Sequence, residues 1–572
     1  MQSTGHKPLR DLRECGNVLR RLRTEYVSDD GNVDYILRKA TAACELYRRK
    51  KIKPRIFKAV DEIVRGFTES ADIPPEEKLT PDYIASKLDS YKPGGDDDGF
   101  TLEELCSVPD CIALSLLFTL DRFREARHEK RRADEAKATP KEKSAEELAA
   151  DAASIGAELL RGFEEISFER FLEKASVIER TLMADKRGIY PRCDEETKQL
   201  YRQAAAEYAK KHKVTQRQAA ELVLAMRSPV KEHPILRAVY FPIMYTAAFL
   251  LSVLAAALTD GDLFLALLLY FPLTELVRQC LDFALSRFVP PGAVPRYRLE
   301  RCDDVPETLV VITTLLFGGK SDDALFDALE RCYHANRDKN GNIAFGILGD
   351  LPDSASPEAP GDAATLKNAK NRINALNKKY GGGFYLFTRS RTYSATEERY
   401  MGRERKRGAL LELAGLIAAG ERGTLTVVGD ESYLSRVKYV ITLDSDTRLG
   451  LGGACDLIGA MLHPANHPVV KNGVVTEGYA IMQPRMETSL EAAGKTPFAR
   501  LISGAGGSDI YASASYETYQ TIFGEGNFCG KGIFDVRLYW ELLKDAFAPE
   551  TVLSHDLLEG TRLRCAYLSG IT

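Results

Sequence analysis

A chain of 572 residues with 44% hydrophobic content is long enough for several domains with sizeable cores, and its formal net charge of −4 supplies no global basic field, which argues against a nucleic-acid binder. Its eleven cysteines include no Cys-x-x-Cys pair, so neither a disulfide framework nor a zinc site is indicated and a reducing compartment is expected. The N-terminal stretch shows no apolar core of a secretory signal.

From Leu9 to about Phe67 the apolar residues recur with helical spacing amid many Arg and Lys, and Pro74-Pro75 and the run from Lys92 to Asp98 punctuate the pattern. Thr101 followed by Glu104 predicts a capping box opening an apolar helix through Leu114–Phe118. Residues 126–150 are charged with both signs interspersed, which suits a solvated helix or a linker. A further helical block runs from Ile166 to about Met226, so residues 1–230 are expected to be all-helical.

Val239 to Leu258 is an uncharged apolar run of twenty residues, and at ~1.5 Å per residue it matches a ~30 Å hydrocarbon core. A second run starts at Leu263 and continues to about residue 285; Pro272 is expected to kink it, and its charged second half suits either a span or an interfacial helix. Lys and Arg flank the pair on both outer sides while the loop between holds only Asp260 and Asp262, so residues 231–292 read as a membrane hairpin with both large soluble parts cytoplasmic. After Pro290-Pro291-Gly292, strands at Thr308–Leu316, Asn342–Asp350, Phe384–Thr388 and the run into Asp444 alternate with helices. That alternation predicts a doubly wound parallel α/β sheet over residues 293–572.

The stretch Val437 to Arg448 ends an apolar β-branched run in two carboxylates, Asp444 and Asp446. Residues two apart on a strand point the same way, so both carboxylates can meet one Mg2+ or Mn2+; a solvated turn is the alternative. Asp350 also ends a buried strand and belongs on the same rim, unless it serves as a helix cap. Gln483-Pro484-Arg485 follows a strand and would bring an Arg to that rim as a diphosphate ligand or leave it on the surface. The glycine-rich Phe523–Gly532 segment lacks the Walker pattern but lets backbone approach a sugar or phosphate. Ser554 is a candidate N-cap of a helix whose first turn holds Asp556, either a general base or a partner of the helix dipole. His463 and His467 have helical spacing broken by Pro464 and Pro468, which argues against a shared metal.

Taken together, YVITLDSDTRL, MLHPANHP, QPRM, FGEGNFCGKGIFDV and LSHDLLEG resemble the glycosyltransferase segment of bacterial cyclic β-1,2-glucan synthases, and upstream RYMGRERKRGALLEL, PETLVVITTLL and LMADKRGIYPRCDEETKQLYR resemble that family's preceding segments in order. The likeness runs from about residue 100 onward. It implies a GT-A-like fold, a multi-pass inverting transferase of the bacterial inner membrane, UDP-glucose as donor and a growing β-glucan as acceptor. By the same likeness Thr313, Asp350, Gln483 and Arg485 contact the donor, Asp444 and Asp446 hold metal and diphosphate, and Asp556 is the base. The family continues into an Arg-Trp acceptor motif and a phosphorylase-like domain, and its first strand has a proline where this chain has Thr313. The resemblance therefore suggests a fragment or split chain completed by a companion. The alternatives are a regulatory module of such a companion, or a transferase making another β-linked polymer.

Overall fold

Thr101 and Glu104 close the capping box: the Thr101 hydroxyl accepts the Glu104 N–H at 3.3 Å and the Glu104 carboxylate accepts the Thr101 N–H at 2.8 Å. A short helix Leu102–Cys106 follows, then a long one, Val108–Ala133, that enters the charged stretch expected as a solvated helix or a linker. These coordinates, a computed structural model, describe residues 8–25, 31–49, 51–69, 78–90, 99–133, 145–165, 168–258, 263–489, 494–502, 517–552 and 555–571. Two units emerge, residues 1–191 with 199–226, and residues 192–198 with 227–572. Among the described residues the first unit is helical throughout, its core built on Leu22, Ile36, Phe57, Val60, Ile112 and Leu117.

In the second unit, helices Pro234–Ala257 and Leu263–Phe288 are long and apolar enough to cross a membrane. The first begins five residues before the apolar run, and the second contains Pro272 within its helical span. Their apolar side chains face outward, with Leu250 61% and Phe271 72% exposed, the reverse of a soluble core helix. At their seam the Tyr240 hydroxyl donates to Asp282 at 2.7 Å and Arg278 donates to Asp282 at 2.8 Å. Tyr240 and Phe241 pack on Phe523 of the short helix Thr518–Phe523.

The rest of this unit is an eight-stranded sheet, ordered β12-β10-β11-β7-β1-β2-β3-β6. Its strands are β1 (Thr308–Leu315), β2 (Ile343–Asp350), β3 (Phe384–Arg389), β6 (Leu425–Val428), β7 (Tyr439–Asp444), β10 (Ile481–Pro484), β11 (Gly532–Asp535) and β12 (Cys565–Leu568). Two small hairpins, β4 (Thr392–Ser394) with β5 (Arg399–Met401) and β8 (Val469–Lys471) with β9 (Val474–Glu477), stand apart. Alternate residues of β1 fill two cores: Val310 and Ile312 meet Leu457 and Ile458 on one face, and Leu309 and Val311 meet Leu410 and Leu413 on the other. Burial on both faces is why these strands read as continuous apolar runs, each such side chain contributing about 1.5–3 kcal/mol.

The sheet is not wholly parallel, as the alternation had suggested. β6 pairs antiparallel with β3, and β11 antiparallel with both β7 and β10. β6 carries the chain back to the amino edge, so that β7 can start beside Thr308 without another crossover helix. β11 runs the opposite way to β7 and so presents its first residues at the carboxyl rim.

Candidate functional site

The registers fix the site. Thr313 pairs with Asp444 across β1 and β7, and Leu315 pairs with Asp350 across β1 and β2, so both aspartates stand at strand ends on either side of β1. Thr313, Asp350, Asp444 and Asp446 line one cleft of about 320 Å3, together with Arg405 and Lys406. In open α/β sheets this carboxyl rim is where ligands bind.

Asp444 is half-buried and doubly paired. Its Oδ1 accepts Lys406 Nζ at 2.5 Å and the Thr313 hydroxyl at 3.3 Å, and its Oδ2 lies 2.9 Å from Lys531 Nζ. Burial pushes the Asp444 carboxyl up, but the two ammonium groups outweigh it and hold it below the usual carboxylate value. Lys531 shows the mirror effect: burial pulls its ammonium down and Asp444 carries it above the ordinary lysine value. Asp446 is exposed, accepts only its neighbour Thr447, and has no ion-pair partner among the described residues.

Asp350 differs. Arg389 grips both its oxygens, at 2.9 and 2.5 Å, and the same guanidinium donates to the carbonyls of Arg403 and Arg405 at 2.9 and 2.8 Å and to Glu412 at 3.2 Å. Those carbonyls belong to a turn in which Glu404 and Arg405 adopt φ of 52° and 49°, left-handed backbone that costs L-residues about 1–2 kcal/mol each. Arg389 thus fastens the strained turn that opens the helix Arg405–Ala419 and aims Lys406 at Asp444.

The glycine-rich segment closes the other side. Lys406 also donates to the Gly530 carbonyl at 2.7 Å. The Asp556 carboxylate lies so close to Gly530 that a Cβ there would stand 2.8 Å from its nearer oxygen. Lys406 thus links Asp444 to the Gly530 carbonyl, and Gly530 adjoins Asp556. The helix Asp556–Leu563 begins with His555 as N-cap and without a side-chain cap bond; Ser554, the expected cap, lies outside the described residues. His555 Nδ1 lies 3.0 Å from Glu559 and 3.3 Å from Asp556, and Tyr539 donates to buried Glu559 at 2.9 Å. Burial disfavours the imidazolium, but Glu559 outweighs it and raises the His555 pKa.

Gln483 and Arg485 were expected on the same rim, and neither lines the cleft. Gln483 is fully buried and accepts the Cys529 N–H at 2.5 Å, so it anchors the glycine-rich segment from behind. Arg485 is engaged by Glu487, which follows it by two residues. His463 is a core residue whose Nδ1 accepts the Ala465 N–H at 3.2 Å, and burial pushes its pKa down to about 3. Sequence reasoning missed Lys406, Lys531 and Arg389. The first two stood in motifs already singled out, and the signal was a lone lysine in RERKRG and in FCGKG.

Asp444 and Asp446 offer only carboxylate oxygens, the donors Mg2+ and Mn2+ prefer. The set fits such a cation provided a lysine leaves Asp444, since two ammonium groups already neutralise it. No family model matches the chain. Its sequence is 38% identical over 323 residues to cyclic beta-(1,2)-glucan synthase NdvB of Rhizobium meliloti (strain 1021), a stretch covering 55% of this chain but only 11% of that relative's length. The chain is therefore similar to a segment of a glucan synthase.

Proposed function

We propose that the chain is the donor-site portion of a membrane-bound inverting glucosyltransferase that uses UDP-glucose to build β-1,2-glucan. The observation that carries the reading is the convergence of Asp444, Asp446, Asp350 and Thr313 on one cleft; Asp556 does not line it but adjoins Gly530, whose carbonyl accepts the Lys406 ammonium that also pairs with Asp444. The likeness to a cyclic β-(1,2)-glucan synthase supports the linkage.

In this reading the nucleotide sugar lies along the carboxyl rim, bordered by Thr313 and by the Asp350–Arg389 pair. Asp444 and Asp446 would hold Mg2+ or Mn2+, which when bound would supply charge stabilisation to the departing diphosphate. Lys406, fixed between Asp444 and Gly530, lies within reach of the same phosphates. Asp556 accepts the proton of the attacking acceptor hydroxyl as that oxygen bonds to the anomeric carbon; the bond from carbon to the diphosphate oxygen breaks and UDP leaves. Attack from the face opposite the leaving group requires one base and inverts the centre. Glu559 and Tyr539 hold His555 beside Asp556, which keeps the base oriented. Gln483 acts on the donor only through the glycine-rich segment, and Arg485 is not a donor contact in this arrangement. The outward-facing apolar helices Pro234–Ala257 and Leu263–Phe288 support anchoring in a bilayer, and the basic residues that flank the pair support a cytoplasmic cleft.

The test is incubation of membranes carrying the full chain with labelled UDP-glucose and Mn2+ or Mg2+, followed by linkage analysis of the product. Asp444→Asn and Asp556→Asn are each expected to lower turnover by at least about a hundredfold. Undiminished turnover in Asp444→Asn would remove this cleft as the donor site. A product with another linkage would keep the site and change the polymer.

A further inference from the structure

With Asp350 neutralised by Arg389 and Arg405 facing Asp353, the remaining charges about Asp444 cancel: Asp444 and Asp446 against Lys406 and Lys531. A divalent cation entering alone would meet two ammonium groups already seated on its main ligand, and a nucleotide diphosphate entering alone would meet two carboxylates. Entering together they restore the balance, because the diphosphate offers the displaced ammonium a new partner.

The two lysines are not equivalent. Lys406 has a second anchor, the Gly530 carbonyl at 2.7 Å, and sits on a helix whose first turn is fastened by Arg389. Lys531 has Asp444 as its sole ion-pair partner among the described residues, at 2.9 Å, and extends from the residue just before β11. A lysine ammonium is a compact point charge on a flexible stem, able to change partners without rebuilding a planar fork. Because β11 is antiparallel to β7, this lysine emerges at the carboxyl rim rather than at the opposite edge.

We propose that Lys531 is the exchangeable counterion of Asp444: it occupies the carboxylate until a nucleotide diphosphate arrives, then moves to a diphosphate oxygen and releases Asp444 to the divalent cation, so that cation and nucleotide bind cooperatively. This rests on the reading of the cleft as a metal and sugar-nucleotide site. Cooperativity of this kind is reciprocal, so UDP tightens Mn2+ by the same factor by which Mn2+ tightens UDP.

The experiment measures free Mn2+ by electron paramagnetic resonance over the solubilised full chain, with and without UDP, in the wild type and in Lys531→Met, with Lys531→Arg as a charge-retaining control and thermal melts to verify folding. In the wild type, UDP is expected to tighten Mn2+ at least about tenfold. Lys531→Met is expected to bind Mn2+ alone about tenfold more tightly than the wild type and to lose most of the UDP effect, while Lys531→Arg keeps that effect. Equal Mn2+ affinity with and without UDP in the wild type overturns the exchange while leaving the metal site standing, as does an undiminished UDP effect in a folded Lys531→Met. Failure of Mn2+ to bind under either condition overturns the metal-site reading itself and the exchange with it.

Discussion

Asp350 and Asp444 occupy equivalent places, each the last residue of a buried strand flanking β1, yet they are held in different ways. Asp350 is gripped in a two-pronged pair by Arg389, whose side chain is completely buried and spends its remaining donors on two backbone carbonyls and Glu412. Asp444 is met by two lysines that each keep about a fifth of their side chain exposed. A planar guanidinium with every donor committed makes a lock, whereas ammonium groups on flexible stems make a holding position that a ligand can take over. One rim thus joins a carboxylate locked into the turn before Lys406 to one that two partly exposed lysines hold.

The contrast is broken most directly at its rigid end. Arg389→Met would leave Asp350 and Glu412 in a largely buried setting without their cation, and a loss of about 3–5 kcal/mol is expected from urea unfolding monitored by circular dichroism. The double change Asp350→Leu with Arg389→Met is expected to recover part of it, because the uncompensated charge goes with the pair. A single Arg389→Met variant as stable as wild type would remove the lock.

The next largest effect isolates what the lysines do for a buried acid. Glu517, capping the helix Thr518–Phe523, is partly buried with no ion pair among the described residues, and burial pushes its carboxyl from the usual 4.5 up to about 7. Between those values the folded chain keeps a proton that the unfolded chain has lost, so stability falls as pH rises, by about 2–3 kcal/mol in total. Asp444 has the opposite sign: its lowered pKa contributes stability above the usual carboxylate value that is lost as pH falls through its folded pKa. Urea midpoints measured from pH 4 to 8 are expected to flatten across the upper window in Glu517→Gln; an unchanged slope would put the proton elsewhere. A smaller effect comes from Gly402→Ala, whose Cβ would sit 2.4 Å from an Asp350 oxygen and 2.7 Å from an Arg389 nitrogen. It should cost about 1–3 kcal/mol in the same assay, by prying at the pair that Arg389→Met removes outright.

How much of this was readable beforehand depends on distance along the chain. The alternating strands and helices, the capping box at Thr101 and the two long apolar helices follow from local periodicity, and the registers of β1 with β2 and β7 bring Thr313, Asp350 and Asp444 to one cleft as the Asp-terminated strands suggested, while Asp446 reaches it from the turn after β7 rather than from the strand itself. The antiparallel strands escaped because β6 and β11 are four residues long and β11 is embedded in glycines, so neither shows a period. Partners escaped because they are remote: Arg389 lies 39 residues beyond Asp350 and Lys406 lies 38 residues before Asp444. An aspartate at a strand end announces its place on the rim; which cation reaches it is decided by loops that carry no periodic signal. Arg485 illustrates the converse, since Glu487 two residues on intercepts the charge that its neighbourhood promised to the cleft.

The smallest predicted change is the most discriminating. Asp444→Asn removes the charge that both lysines face, but an amide oxygen still accepts from one of them, and the partly exposed ammonium of the other keeps water as a partner. Partly exposed ion pairs contribute about 0–1 kcal/mol each, so the urea midpoint should move by about 1 kcal/mol or less while UDP-glucose turnover collapses. A loss of stability as large as that of Arg389→Met would make Asp444 a second lock, and the distinction between the two strand ends would vanish. A small loss with collapsed turnover would separate them as the geometry does: the fold depends on the acid that arginine fastens, and the chemistry on the acid that lysine can let go.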